Sequence, residues 1–521
     1  MKISKRGTYG LWTLLIVLNI ILRLPTTPHE IGWDSFSIHA LANSISRFGE
    51  ARWWVHPASI GGFYPYSTAS AVPFLLSGIS QCTGIDMEWT IWLFCVLIGV
   101  FSAFTAYLMA GAIWNNDLFK YLVAFGFSIS GGVLYFTTWT VSTRGLFMVL
   151  LPLFIYLLLK TRSSIVRYSI LTFILVILLI VTHHLVYFTI PIAISYFIVT
   201  IYDKLKSYVS SIKVPNIYVS IGILISFTGI LFIMFLNRTF FVTGTRYILD
   251  EILKDYTRHV GFLIIFAFGG FAYLVFKTEK RFEEWFLLIA LMGLLPAIGN
   301  EIYTKWVMVS FAFLLVGFGL TNVAGLCNRR RKTVFITIVS VLLLSVCMTG
   351  YYQYVHYERK DIPAYWTRYP GEAEYESAMW AKANIEGNMG GYAAGMTLAR
   401  IFALSGVPTF SGSRTCDLAY GFVNLSGLNI TRIPLSMEWI EDEPYEITSS
   451  HTGTEWFISY LSTQDVDSRW AQNFFSRFRI SYIIEDKDAS YGIFVRSLQR
   501  DKDCVYDNGE ICFWKLGGEE V

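Results

Sequence analysis

The stretch "GLWTLLIVLNIILRLPTTPHEIGWDSFSIHALANSISRFG", Gly10 to Gly49, decides the fold. Its first half is an apolar run of the length that crosses a bilayer. After Pro25 and Pro28 the pattern turns helical, with Phe36, Ile38, Leu41 and Ile45 spaced as one apolar face suited to a membrane interface. Lys2, Lys5 and Arg6 precede the run, and Arg23, Pro25 and Pro28 follow it without a small-residue cleavage site, which predicts a retained anchor helix rather than a cleaved signal peptide. An anchor followed at once by an amphipathic helix sets Asp34, near that helix's start, beside a membrane surface. Asp suits a helix N-cap, and a carboxylate fixed in that place also suits a general base.

Working outward, the same apolar character holds over most of the 521 residues: 54% are hydrophobic, 17% aromatic and 15% charged, and the mean hydropathy is +0.49. The composition is that of a polytopic membrane protein. A net charge of +3, spread over short clusters, argues against a nucleic-acid partner. Apolar runs predict about eleven transmembrane helices, near 9–24, 89–113, 120–139, 145–160, 167–182, 186–201, 217–236, 259–276, 284–299, 306–326 and 333–350. Alternate connections carry the basic clusters: Lys2, Lys5 and Arg6; Lys120; Lys160, Arg162 and Arg167; Lys204, Lys206 and Lys213; Lys277, Lys280 and Arg281; and Arg329 to Lys332. The positive-inside rule therefore puts the N-terminus inside and the C-terminus outside, in the plasma membrane.

The organisation predicted is a transmembrane domain over 1–350, with a long first outer loop at 25–88, and a soluble external domain over 351–521. In the latter, Glu372 to Asn384 and Asp465 to Phe478 read as helices, and "GGYAAG", "VPTFSG" and "ISYIIE" as strands. "CVYDNGEICFWKL" reads as a hairpin turning at Asn508-Gly509, with Cys504 and Cys512 symmetric about the turn and open to a cross-strand disulfide. Helices alternating with strands predict a small α/β layer. The sequons at Asn237, Asn424 and Asn429 all fall on the side read as external.

With the sides assigned, polar residues gather at the outer face. Arg144, in "TRGLF", suits either a snorkelling anchor or phosphate recognition. His183 and His184 interrupt a long apolar run; adjacent imidazoles point to different sides of a helix, which argues against one metal held by both. Arg246 and Arg258 flank a loop whose acids and bases have helix-surface spacing, and both suit anion contacts. Asp86 and Glu88 form an acid-x-acid pair that suits either plain solvation or a divalent cation such as Mg or Mn. There is no Cys/His zinc pattern, phosphate-binding P-loop or dinucleotide fingerprint.

The long first outer loop with its early Asp in "GWDSFSIHALANSISRFGEARWW", the "TRGLFMVLLPLFIYLLL" segment, the many spans and the external C-terminal domain together resemble the glycosyltransferase C superfamily, especially its prokaryotic and archaeal members. That superfamily includes oligosaccharyltransferases, protein mannosyltransferases and aminoarabinose transferases. The resemblance implies inverting transfer of a sugar from a polyprenyl-phosphate donor to a glycan, lipid or protein acceptor at the outer face of the membrane. It carries over Asp34 as the base and, more loosely, Asp86 with Glu88, Arg144 and Arg246. On it, Arg144, Arg246, Arg258 and His184 are assigned to the donor phosphate, and His39, His56, Tyr64 and His183 to substrate positioning. Two departures stand out: Trp33-Asp34-Ser35 lacks the second nearby acid of many members, and "RWWVH" has tryptophans without the acid of the oligosaccharyltransferase Trp-Trp-Asp-x-Gly signature, which argues against transfer to asparagine. The rival readings are a transporter or flippase, for which intramembrane charge pairs and broken helices are expected, and a non-catalytic assembly factor with an external binding domain.

Overall fold

The computed structural model describes residues 4–208, 216–236, 256–299, 301–326, 336–343, 345–346, 369–392, 395–410, 414–423, 428–433, 444–447, 463–487 and 492–517. The chain divides into two compact units. One holds Met1–Leu24, Cys95–Thr138 and Arg144–His356; the other holds Pro25–Phe94, Trp139–Thr143 and Tyr357–Val521.

In the first unit, α1 (Lys5–Ile21) starts where the Ser4 hydroxyl accepts the amide of Gly7, and it ends just before Arg23. Arg23 is fully buried. Its Nε donates to Thr137 Oγ1 at 3.0 Å, Nη1 to Asn19 Oδ1 at 2.8 Å and Nη2 to the Ser128 carbonyl at 3.1 Å. The Ser128 carbonyl is available because the run expected as one helix over 120–139 is broken. Its first part is α5 (Asp117–Ser128), after α4 (Met87–Ile113); Ser130 then caps a single turn, α6 (Gly131–Leu134). The buried guanidinium thus satisfies a helix end that would otherwise be orphaned in an apolar interior.

Seven helices among the described residues are long and apolar enough to cross a membrane: Met87–Ile113, Thr143–Lys160, Ile165–Thr182, His184–Leu205, Ile217–Met234, Tyr256–Phe276 and Thr304–Leu326. Of the other expected spans, 9–24 is the 17-residue α1 and 284–299 is the helix Phe282–Leu294 closed by a 3-10 turn at Leu295–Gly299. The expected span 333–350 lies partly outside the described residues. The helices Ile264–Phe276 and Glu301–Leu326 pack through glycine: a Cβ at Gly270 would run into the Leu315 carbonyl oxygen, and one at Gly319 into that of Phe266. Such close backbone approach is how helices associate where no aqueous hydrophobic drive exists.

The second unit joins the first loop to the C-terminal segment. Strands β1 (Asn388–Tyr392), β2 (Ile430–Arg432), β3 (Tyr445–Ile447), β4 (Ile480–Asp486), β5 (Asp503–Asp507) and β6 (Ile511–Lys515) form a four-stranded sheet ordered β1-β4-β6-β5 and a separate β2-β3 pair. Strand β1 runs parallel to β4, and the other pairings in the larger sheet are antiparallel. The helices Glu372–Asn384, Arg469–Phe478 and Ile493–Asp501 complete the expected α/β layer. "VPTFSG" contributes only a bridge from Thr409 to Met389 within its described part, and a further helix, Gly395–Ser405, precedes it. The hairpin turns at Gly509 (φ 96°) as expected. Cys504 pairs with Trp514 and Asp507 with Cys512, and both cysteines are free thiols.

The amphipathic helix α2 (Trp33–Phe48) departs from the expectation of an interfacial helix. Phe36, Ala40, Leu41 and Ile45 are buried in one core with Ala399, Phe402, Ala403 and Tyr420 of the C-terminal segment. Polar contacts fix the packing: the Tyr420 hydroxyl donates to the Ala40 carbonyl at 3.0 Å, and Asn43 Nδ2 to that of Ala403 at 3.0 Å. Burying a large apolar side chain away from water contributes about 1.5–3 kcal/mol, and here protein supplies the cover.

Candidate active site

In the second unit, the segment from His29 to Asp34 is held by hydrogen bonds on both sides. The Glu30 amide donates to Glu88 Oε1 at 2.9 Å and the Ile31 amide to the Trp139 carbonyl at 2.9 Å. Gly32 follows at φ 100°, with Thr140 Oγ1 only 2.6 Å from where a Cβ would stand. Only glycine combines that backbone with that approach. It is also the residue before α2, so Asp34 is the second residue of the helix and not its N-cap. Its side chain is exposed on the first turn, where the helix dipole favours a carboxylate.

Beneath Asp34 lies a buried network of which the sequence reading named only part. Glu30, fully buried, holds His39 Nδ1 at 2.7 Å through Oε1 and accepts the Ser35 hydroxyl at 3.2 Å through Oε2. Ser35 Oγ in turn accepts the Val141 amide at 3.1 Å. Glu88 Oε1 lies 3.1 Å from His29 Nδ1, and the His29 ring stacks on Tyr375 with centroids 3.9 Å apart. Burial works to lower the pKa of His39, but the charge and hydrogen bond of Glu30, with the charges of Asp86 and Glu88, outweigh it and hold the pKa above the ordinary histidine value. The pair is a charge-assisted bond in a dry setting. Glu30, His29, Ser35 and Tyr375 were missed; the available signal was an acid four residues before Asp34, in a proline-flanked segment without periodicity.

His56 and Tyr64 come together elsewhere in this unit, stacked at 4.6 Å and both edge-on to Tyr445. His56 Nδ1 accepts the Ala58 amide and caps a 3-10 turn. Asp86 accepts the Glu88 amide at 3.0 Å and lies 3.7 Å from Lys382. With Glu88 engaged by His29 and the Glu30 amide, and Asp86 facing an ammonium, this acid pair does not fit a cation site. Among the described residues, two other groups in the C-terminal segment have ligand-like spacing, Cys504–Asp507–Cys512 and Asp465–Asp467–Asp501. The carboxylates of the second are matched by Arg500 and Lys502. In the first, Asp507 is paired with Lys487 at 2.7 Å, and burial with the charges of Cys504 and Asp507 pushes the Cys512 thiol up to about 12. A metal there would have to displace the lysine and drive off that proton.

In the first unit, Arg144 is the second residue of α7 (Thr143–Lys160), with Gly145 against the Phe136 carbonyl. His183 caps the 3-10 turn His184–Phe188 through its Nδ1, which accepts the Leu185 amide at 3.0 Å. The rings of His183 and His184 lie 4.1 Å apart, and the Arg144 guanidinium is close enough to act electrostatically on both. The structure therefore brings three sequence candidates together, one guanidinium and two imidazoles. Arg258 is exposed at the start of the helical segment Tyr256–Phe276. Arg246 lies outside the described residues, as do Asn237 and Asn424.

No protein-family model matches the chain, and no curated protein matches it in sequence. Solved structures do match in fold. The Archaeoglobus fulgidus oligosaccharyltransferase, solved with Zn and sulfate, aligns at TM-score 0.58 and 12% identity over 91% of this chain and 68% of its own. ArnT from Cupriavidus metallidurans aligns at TM-score 0.55 and 10% identity over 98% of both chains. The arabinofuranosyltransferase AftD from Mycobacteria aligns at TM-score 0.55 and 14% identity over 100% of this chain and 40% of that much longer one. These likenesses show that the chain shares the fold of these three proteins, and seven helices among its described residues are long and apolar enough to cross a membrane.

Proposed function

We propose that the protein is an inverting membrane glycosyltransferase that uses a polyprenyl-phosphate sugar at the outer face of the plasma membrane, with Asp34 as general base. The observation that carries this reading is the placement of an exposed carboxylate on a helix start that Gly32, Glu30 and Glu88 over-determine. A base must be held to a fraction of an ångström, and a buried hydrogen-bonded floor does this better than a mobile loop. The likeness to ArnT, a structure of which was solved with undecaprenyl phosphate, supports the donor class.

In the proposed reaction the acceptor hydroxyl gives its proton to the Asp34 carboxylate as its oxygen bonds to the anomeric carbon. The bond from that carbon to the phosphate oxygen breaks, and polyprenyl phosphate leaves on the opposite face, so configuration inverts. Charge grows on the departing phosphate, and Arg144 is proposed to stabilise it, with His184, Arg246 and Arg258 as further contributors. His39, His56, Tyr64 and His183 are proposed to position substrate.

The test is release of polyprenyl phosphate from a labelled polyprenyl-phosphate sugar by the purified protein, with the product's anomeric configuration read by NMR. Wild type is expected to cleave and invert, and Arg144→Ala to weaken donor use. Cleavage with retained configuration refutes the inverting mechanism, and no cleavage of any polyprenyl-phosphate sugar refutes the reading and favours transport or a non-catalytic role.

A further inference from the structure

Within the second unit a cavity of about 370 Å³ opens between α2, the helix α3 (Ala71–Thr83), the turn that follows it, and the helices Glu372–Asn384 and Gly395–Ser405. Its size lies at the small end of the range of about 300–1,000 Å³ typical of ligand sites. Polar side chains supply much of the wall, with Ile85, Met87 and Leu404 adding apolar surface beside them. Asn43 and Gln81 both line it, and both have their NH₂ groups engaged within the protein, on the Ala403 carbonyl and on the Ser77 hydroxyl at 2.7 Å. Each therefore offers its oxygen as an acceptor. Ser80 donates to the Ile85 carbonyl at 2.7 Å and likewise keeps its lone pairs. Lys382, more than 3.5 Å from Asp86, retains donors, and His39, tied to Glu30 through Nδ1, closes the inner wall.

This mixture narrows the occupant. An anion would meet Asp86 and two carboxamide oxygens, a divalent cation would meet the Lys382 ammonium, and an apolar ligand would leave most of these groups unpaired. A ligand with several hydroxyls, each both donor and acceptor, satisfies acceptors and donors together. We infer that this cavity is a saccharide-binding subsite that holds a sugar ring of the acceptor, an assignment whose acceptor role rests on the glycosyl-transfer reading above.

The experiment is saturation-transfer NMR on the full-length protein, in a detergent without a sugar headgroup, against methyl glycosides of glucose, mannose and galactose and against maltose and lactose. No donor is present. At least one of these saccharides is expected to receive saturation from wild type and to bind about tenfold more weakly to Gln81→Ala and to Lys382→Ala, the size expected for losing a pair of hydrogen bonds. Both side chains are surface-exposed, so neither variant threatens folding. No transfer to any of the panel, or transfer undiminished in both variants, overturns the inference. Donor cleavage is measured separately: cleavage without saccharide binding removes the subsite alone, whereas binding without cleavage removes the acceptor role and the transfer reading.

Discussion

The Glu30–His39 pair is the residue-level feature on which the geometry around Asp34 depends, because it buries a carboxylate under the first turns of α2. A buried pair contributes little net stability when intact, but breaking it costs about 3–5 kcal/mol by stranding a charge. His39→Ala is therefore expected to lower the apparent melting temperature sharply, and a variant that melts with wild type contradicts the pairing. The pH dependence has a definite sign. The folded pKa of His39 is raised above the unfolded value of about 6.5. Its contribution is thus complete below about pH 6.5 and fades as pH climbs through the raised folded value. Wild type should lose thermal stability over that interval, and His39→Ala should lack this component of the loss. The sequence made His39 legible as a candidate but not its partner. Glu30 sits in "PTTPHEIG", where prolines erase periodicity, and its link to His39 arises only when α2 folds back over the segment that precedes it.

At the level of elements, α2 shows what a pattern reveals and what it leaves open. Phe36, Leu41 and Ile45 identify an apolar helix face, but periodicity says nothing about whether lipid or protein covers that face. The answer lay some 360 residues away, in Ala399, Phe402, Ala403 and Tyr420. Similarly, 120–139 reads as one span by hydropathy, and the break after Ser128 becomes intelligible only once Arg23 is seen to satisfy the freed carbonyl. The terminal hairpin was legible because its turn chemistry is local. The glycine contact between Ile264–Phe276 and Glu301–Leu326 carries its own prediction. Gly270→Leu or Gly319→Leu should force those helices apart and reduce the yield of monodisperse protein. Gly269→Leu, whose Cβ would point into open space, should purify as wild type does. Equal yields from all three would rule out the close approach.

For the whole molecule, the span-length apolar helices were readable from apolar runs, and the fold shared with the three solved structures was anticipated by the resemblance that the long first loop and its early acid carry. The grouping of that loop with the C-terminal segment was not, since it depends on long-range packing that composition cannot encode. The proposed orientation, C-terminus outside, is testable with the protein's own thiols. Cys82 and Cys504 are exposed, whereas Cys95, Cys416 and Cys512 are buried. A variant retaining only Cys504 should react with a membrane-impermeant maleimide added to intact cells; reaction only after lysis would invert the orientation and with it the assignment of an outer-face reaction.

The central claim is that Asp34 takes the acceptor's proton, and single-turnover transfer from a saturating polyprenyl-phosphate sugar, compared between wild type and Asp34→Asn, tests it most directly. General-base catalysis by a positioned carboxylate predicts a fall of about 10²–10⁴-fold in the rate of the chemical step. Transfer at the wild-type rate by Asp34→Asn would contradict the account.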